Sequence, residues 1–146
     1  TYGVDAVKVL TEDPYRLARD IRGIGFLTAD QIARQIGTPL DAMGRRRGAL
    51  QHVLTEAVDQ GHCALPVTEL RDRTVALVDL PPASIDEAIA AELQDGQVVP
   101  ARVDHEPVLA LATLDTAERS VAARLLALAR QRRPWPDIDA DRAIPW

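Results

Sequence analysis

Residues 17–33 read LARDIRGIGFLTADQIA, and this pattern predicts two short amphipathic helices joined by a bend at Gly23-Ile24-Gly25. Because the bend is so short, we expect the two helices to form a hairpin. The positions predicted to face inward are Leu17 and Ile21 on the first helix and Ala29, Ile32 and Ala33 on the second.

The two glycines in the bend point to a contact with an anion. Glycine tolerates positive φ and lets another group approach the backbone closely, while Ile24 between them can lie in the cleft between the helices. The amides of Gly25, Phe26 and Leu27 have no carbonyl one turn earlier to bond, and the helix dipole lies behind them. A nucleic-acid phosphate fits such a site, and the Thr28 hydroxyl can assist.

The order of apolar, glycine and small residues around the bend resembles the helix-hairpin-helix motif of many DNA-handling proteins. Leu27 stands where such motifs often carry a lysine or an arginine. The resemblance therefore implies a weak phosphate contact made by backbone amides and by Thr28. The alternative is an ordinary helical hairpin that packs against the rest of the chain and binds nothing.

Composition favours a helical protein with an aliphatic core. The chain has 146 residues, enough to bury a proper core, and only 3% are aromatic. No apolar run is long enough to span a membrane, and no secretory signal is present. Cys63 is the single cysteine, which excludes an internal disulfide and predicts a cytoplasmic protein. Thr1 at the start and the ending on Trp146 suggest a piece of a longer polypeptide.

The charge distribution argues against a general DNA-coating protein. The formal net charge is -5, whereas affinity for phosphates comes mainly from lysine and arginine. Residues 61–112 carry 3 basic and 9 acidic side chains, against 8 and 8 in residues 1–60. The acidic middle is therefore the least probable DNA surface, and it is a candidate face for a protein partner.

Apolar periodicity and turn residues predict the order of elements along the rest of the chain. Ser84 and Glu87 form a capping-box signature at the start of one helix. The predicted helices cover residues 4–10, 15–21, the stretch after the bend to about 36, 45–60, 67–77, 84–95 and 113–133, and the predicted strands cover 62–65, 98–103 and 107–112.

This order predicts a mainly α fold. A helix-hairpin-helix unit (1–43) is followed by a winged-helix-like domain with a small β-hairpin (44–112), and then by a closing long helix and a proline-rich tether (113–146). In DNA-reading winged-helix proteins the third helix enters the major groove. Here that helix carries four acidic residues and no basic one, so we expect a scaffold or a protein-contact surface.

Several segments resemble the amino-terminal region of the long RecD-like DNA helicases, often named exodeoxyribonuclease V alpha subunits. They are residues 13–18, 21–26 with 28–30, 61–66 and the closing 138–146. The resemblance implies a 5′ to 3′ helicase motor after Trp146, with roles in DNA repair and recombination. ATP and Mg²⁺ would bind only in that motor, because no Gly-x-x-x-x-Gly-Lys-Ser/Thr sequence occurs in these residues. We expect no enzyme activity from this chain.

The arginines near the hairpin are candidates for added phosphate contacts, although such residues more often line a solvated face. The triple arginine at 45–47 would send its side chains in different directions. We expect Cys63 to pack in the core and no metal to bind, because no zinc-ligand spacing is present. Tyr15 and Phe26 are expected to be buried beside the hairpin, and Trp135 and Trp146 to stack on bases or dock on the motor.

Two hypotheses follow for the function. In the first, the chain is a non-catalytic accessory region that holds or guides single-stranded or forked DNA. Its predicted contacts are Arg22, Gly23, Ile24, Gly25, Phe26, Leu27, Thr28, Arg45 and Arg46. In the second, it is a structural or protein-interaction module whose acidic face, 61–112, meets a partner or the motor. A winged-helix transcription regulator is disfavoured by the acidic third helix.

Overall fold

The computed structural model of the protein describes residues 13–21 and 24–131 and confirms a mainly helical fold with a small sheet. The elements are α1 (Arg16–Asp20), α2 (Phe26–Gln35), α3 (Met43–Asp59), β1 (Leu65–Pro66), α4 (Val67–Val78), α5 (Pro82–Gln94), β2 (Val98–Val103), β3 (Glu106–Leu111) and α6 (Ala112–Arg130). The predicted helix at 4–10 and the tether at 134–146 lie outside the described residues.

The predicted helical hairpin is present as α1 and α2. The Asp13 carboxylate accepts a hydrogen bond from the Tyr15 amide (3.2 Å) and so caps the turn that enters α1. The second helix ends as predicted, because Gly37 has φ +82° and the Thr38 amide donates back to the Ala33 carbonyl (2.9 Å). Both ends of the hairpin are thus fixed by local hydrogen bonds.

A three-stranded antiparallel sheet lies beside α3 to α5, with strand order β1-β3-β2. Leu65 of β1 pairs with Leu109, and β2 pairs with β3 from Val98 opposite Leu111 to Val103 opposite Glu106. The turn between β2 and β3 places Asp104 and His105 at positive φ, 48° and 71°, as tight two-residue hairpin turns require. The predicted order of helices and strands is confirmed.

One hydrophobic core joins the hairpin to the rest of the compact unit that ends at Asp115. Tyr15, Phe26 and Ala29 belong to the same buried cluster as Leu50 of α3 and Leu109 of β3. The boundary predicted at residue 43 therefore lies inside a single packed body. Burying large aliphatic side chains stabilises it by about 2 kcal/mol each.

A second unit begins at Thr116 and contains most of α6. Four apolar residues of that helix are more than half exposed: Val121, Leu125, Leu126 and Leu128. In the described part of α6 no residue is buried.

Glycines on α3 let the hairpin approach this helix closely. A Cβ at Gly48 would lie 3.3 Å from the Phe26 ring, and one at Gly44 would lie 3.1 Å from the Asp13 carboxylate. Glycine costs about 1 kcal/mol in a helix interior relative to alanine. Here the absence of a side chain makes room for the packing of Phe26.

Three local predictions were wrong. Ser84 and Glu87 form no capping box, because α5 begins two residues earlier with Pro81 as N-cap and no side-chain cap. Proline is favoured at the first helical position because the N–H that it lacks would be unpaired there, and Pro81 at the N-cap has no side-chain acceptor. The strand predicted at 62–65 is reduced to Leu65–Pro66, and Cys63 is exposed on the preceding turn, not packed in the core.

Among the described residues, the helices are all too short or too polar to cross a bilayer.

Candidate nucleic-acid interface

The bend of the hairpin is described from Ile24 onward, and the predicted site residues Arg22 and Gly23 lie outside the described residues. Ile24 is half-buried against the core, and its amide donates to the Ile21 carbonyl (3.1 Å). Ile24 therefore packs inward, and its position in the cleft between the two helices stays a prediction.

The first amides of α2 are candidates for an anion contact. The first backbone hydrogen bond at this end runs from the Ala29 amide to the Gly25 carbonyl (3.1 Å). Within the described residues, no group accepts from the amides of Phe26, Leu27 or Thr28. Unbonded N–H groups at a helix start attract anions because the helix dipole adds a partial positive charge there.

Gly25 leaves space for a ligand to approach the backbone, but its own backbone conformation is ordinary. Its φ of −85° and ψ of 170° are extended values that any residue adopts, so the expected positive φ is absent at this glycine. No heavy atom lies within 4 Å of the position that a Cβ would occupy, other than those of its chain neighbours. The backbone at Gly25 therefore faces open space.

The side chains after Gly25 divide into buried and exposed. Phe26 is buried, and its ring stacks on Tyr15 (5.9 Å between centroids) and on His52 (5.6 Å). The expected burial of Tyr15 and Phe26 is confirmed. Leu27 is 56% exposed, and Thr28 is also exposed.

Arg45 does not face solvent, and this removes it from the predicted DNA-contacting residues. Only 2% of the residue is exposed. Its guanidinium donates to both carboxylate oxygens of Asp30, at 2.8 and 3.3 Å, and to the carbonyls of Leu40 (2.9 Å) and Val78 (3.0 Å). The guanidinium of Arg45, which was predicted to contact a phosphate, instead holds α2, α3 and the end of α4 together.

Asp30 is the centre of this network. Besides Arg45, its carboxylate accepts from the Tyr15 hydroxyl (2.8 Å) and from Arg34 (3.0 Å). Burial disfavours the ionised carboxylate, but the hydrogen bonds from Arg45, Tyr15 and Arg34 outweigh it and hold the pKa of Asp30 below its ordinary value. Burial, reinforced by the hydrogen bond to Asp30, raises the pKa of the Tyr15 hydroxyl.

Arg46 and Arg47 are also used inside the protein. Arg46 donates to the Ser84 carbonyl (3.0 Å) and the Glu87 carboxylate (2.8 Å) of α5, and its side chain is 13% exposed. Arg47 pairs with Glu92 and with Asp95 (2.7 Å). Arg46 is therefore a further correction to the predicted site, although the three side chains do diverge as predicted.

The acidic third helix is largely neutralised by these pairs. Glu92 is one of the four acids of the helix that was expected to form a scaffold or a protein-contact surface, but it is completely buried between Arg47 and Gln51, whose side-chain amide donates to it (2.7 Å). Burial lowers the pKa of the Arg47 guanidinium, but the hydrogen bonds to Glu92 and Asp95 raise it by more. Two features of the sequence indicated this arrangement: the triple arginine at 45–47, and Glu92 and Asp95 three residues apart on one predicted helix.

Comparison with known proteins confirms the resemblance noted in the sequence. Residues 1–64 match the family model of the ATP-dependent RecD2 DNA helicase HHH domain. The chain is also 30% identical over 118 residues to the ATP-dependent RecD2 DNA helicase of Deinococcus radiodurans. That alignment covers 80% of this chain and 16% of the relative. The chain is thus similar to the amino-terminal region of a RecD-like helicase and spans about a sixth of its relative's length.

Removal of the Asp30 charge should destabilise the fold. Asp30→Asn leaves the Arg45 guanidinium buried without its counter-ion, and we expect a loss of about 3 kcal/mol in the free energy of unfolding. Urea denaturation followed by circular dichroism measures this loss. Asp41→Asn, an exposed carboxylate on the loop before α3, serves as the control and should change stability by less than about 0.5 kcal/mol. Equal effects of the two substitutions would contradict the assignment.

The same carboxylate predicts a specific pH dependence. Because the folded-state pKa of Asp30 is lowered from 3.8, its contribution is complete above that value and is lost as the pH falls through the folded-state pKa. The stability difference between wild type and Asp30→Asn should therefore be complete above pH 3.8 and shrink as the pH falls below that value through the folded-state pKa. Urea titrations at several pH values test this, and a constant difference would show that ionisation of Asp30 is not the cause.

Proposed function

We propose that this chain is the non-catalytic amino-terminal accessory region of an ATP-dependent 5′ to 3′ DNA helicase, and that its α1–α2 hairpin contacts the DNA backbone. The match of residues 1–64 to a helicase helix-hairpin-helix domain carries the proposal. The contact is supported by the amides of Phe26, Leu27 and Thr28, which have no acceptor among the described residues. ATP and Mg²⁺ would serve the motor that this sequence lacks.

The proposed contact is made by uncharged groups. The amides of Phe26, Leu27 and Thr28, with the Thr28 hydroxyl, would hold a phosphate beside Gly25. Since Arg45 and Arg46 are used within the fold, they release no counterions on DNA binding. Affinity for DNA depends largely on such release. We therefore expect weak binding of single-stranded or forked DNA with a shallow salt dependence.

A docking module remains the second candidate, favoured by the exposed apolar residues of α6. Val121, Leu125 and Leu128 recur at helical spacing and are more than half exposed. The acidic face 61–112 supports this candidate less than its composition suggested. Several of its acids pair with arginines: Glu69, Asp72, Asp86, Glu87, Glu92 and Asp95.

A carboxylate introduced at the N-cap of α2 should weaken DNA binding without destabilising the fold. In Gly25→Asp the new side chain can accept from the first amides of α2, which stabilises a helix by about 0.3 kcal/mol relative to glycine at the N-cap. The same carboxylate would occupy the position proposed for the phosphate and would repel the negative charge of the phosphate. We expect DNA binding, measured by fluorescence anisotropy, to fall at least tenfold while the protein unfolds at equal or higher urea concentration. Gly25→Ala, which adds no charge, is the control, and unchanged binding by Gly25→Asp would favour the docking module.

A lysine at the exposed position after Phe26 should strengthen the contact. Leu27→Lys places a cation beside the proposed phosphate, so we expect tighter DNA binding and a salt slope steeper by about one. Leu40→Lys makes the same change at a residue of equal exposure, 55% against 56%, beyond the other end of α2. Similar gains from both variants would indicate a general charge effect and not a site at the hairpin.

A further inference from the structure

A cavity of about 350 Å³ opens beside the hairpin. Gly25 and Phe26 line it from the start of α2 and His52 lines it from α3, while Gln97 lines it from just before β2 and Thr113 from the first turn of α6. Its volume falls in the range of small-molecule pockets. Two residues, Gly25 and Phe26, belong both to this cavity and to the proposed backbone contact.

The cavity is lined without a charged side chain. None of its described lining residues is Asp, Glu, Lys or Arg, although these types make up 27% of the chain. A phosphate, carboxylate or ammonium group entering it would lose hydration without gaining a counter-ion. The cavity therefore suits a neutral ligand.

Its walls combine ring surface with hydrogen-bonding groups. Phe26 and His52 stack at an interplanar angle of 26°, and the side chain of His52 is 20% exposed. Gln97 and Thr113 are exposed, and neither side chain has a hydrogen-bond partner within the described residues. A glutamine amide both donates and accepts, as does the edge of a nucleobase.

We infer that this cavity takes an unstacked nucleobase of a single strand whose backbone lies on the hairpin. A base is neutral and flat, and it carries donors and acceptors along one edge, so it matches the lining described above. In duplex DNA that edge is already paired, so the cavity selects single-stranded or frayed DNA. This inference rests on the proposed function and names the substrate class of the same site.

The test compares single-stranded and duplex DNA of one sequence. The double variant Gln97→Leu with Thr113→Val removes the hydrogen-bonding groups and leaves the backbone unchanged. Gln94→Leu with Thr68→Val makes the same chemical changes at two exposed residues outside the cavity. Fluorescence anisotropy gives the affinities, a 2-aminopurine in the single strand reports base insertion, and urea denaturation confirms that all variants fold.

We expect the cavity variant to bind single-stranded DNA about tenfold more weakly, as the loss of two hydrogen bonds implies, and to lose the 2-aminopurine response. Its affinity for duplex DNA and both affinities of the control variant should stay at the wild-type values. Unchanged single-strand affinity, or an equal loss for both DNA forms, overturns the cavity assignment. If Gly25→Asp still weakens binding in that case, the proposed function stands. If the wild-type chain binds neither DNA form, both fail.

Discussion

The buried carboxylate of Asp30 is the interaction on which the hairpin depends. It accepts hydrogen bonds from Tyr15, Arg34 and Arg45, so a single side chain links the entry to α1, the middle of α2 and the start of α3. An ion buried this deeply is tolerated only when its remaining lone pairs are satisfied, and here they are. The orientation of the hairpin, and of the amides at its tip, is therefore tied to the main body of the protein.

The arginines of α3 also pair with acids of other helices and so tie those helices together. Arg45, Arg46 and Arg47 lie side by side in sequence, yet each turns to a different partner: Asp30, α5 near its start, and α5 near its end. The strongest basic cluster of the described chain thus serves the fold. The proposed DNA contact therefore does not use these arginines and is assigned to backbone amides at the start of α2.

Sequence patterns predicted the elements well because periodicity and glycine positions act locally. The end of α2 at Gly37 and the order of helices and strands followed from such signals. Arg45, Glu92 and Cys63 were misplaced because their burial depends on residues distant in sequence. An arginine beside an apolar stripe is equally compatible with solvent or with a buried acid, and only the packing of α2 and α5 on α3 decides between them.

A weak, uncharged contact is physically consistent with an accessory region. A module joined to a motor that already holds DNA meets the strand at an effective concentration set by the linker, which reaches about the millimolar range for short linkers. Under that condition a low intrinsic affinity is sufficient for occupancy. It also allows rapid release, because few counterions must return when the contact breaks. The proposed contact, made by amides beside a cavity that has no Asp, Glu, Lys or Arg in its lining, would therefore let the hairpin follow a moving strand, whereas a strongly basic surface would slow its release.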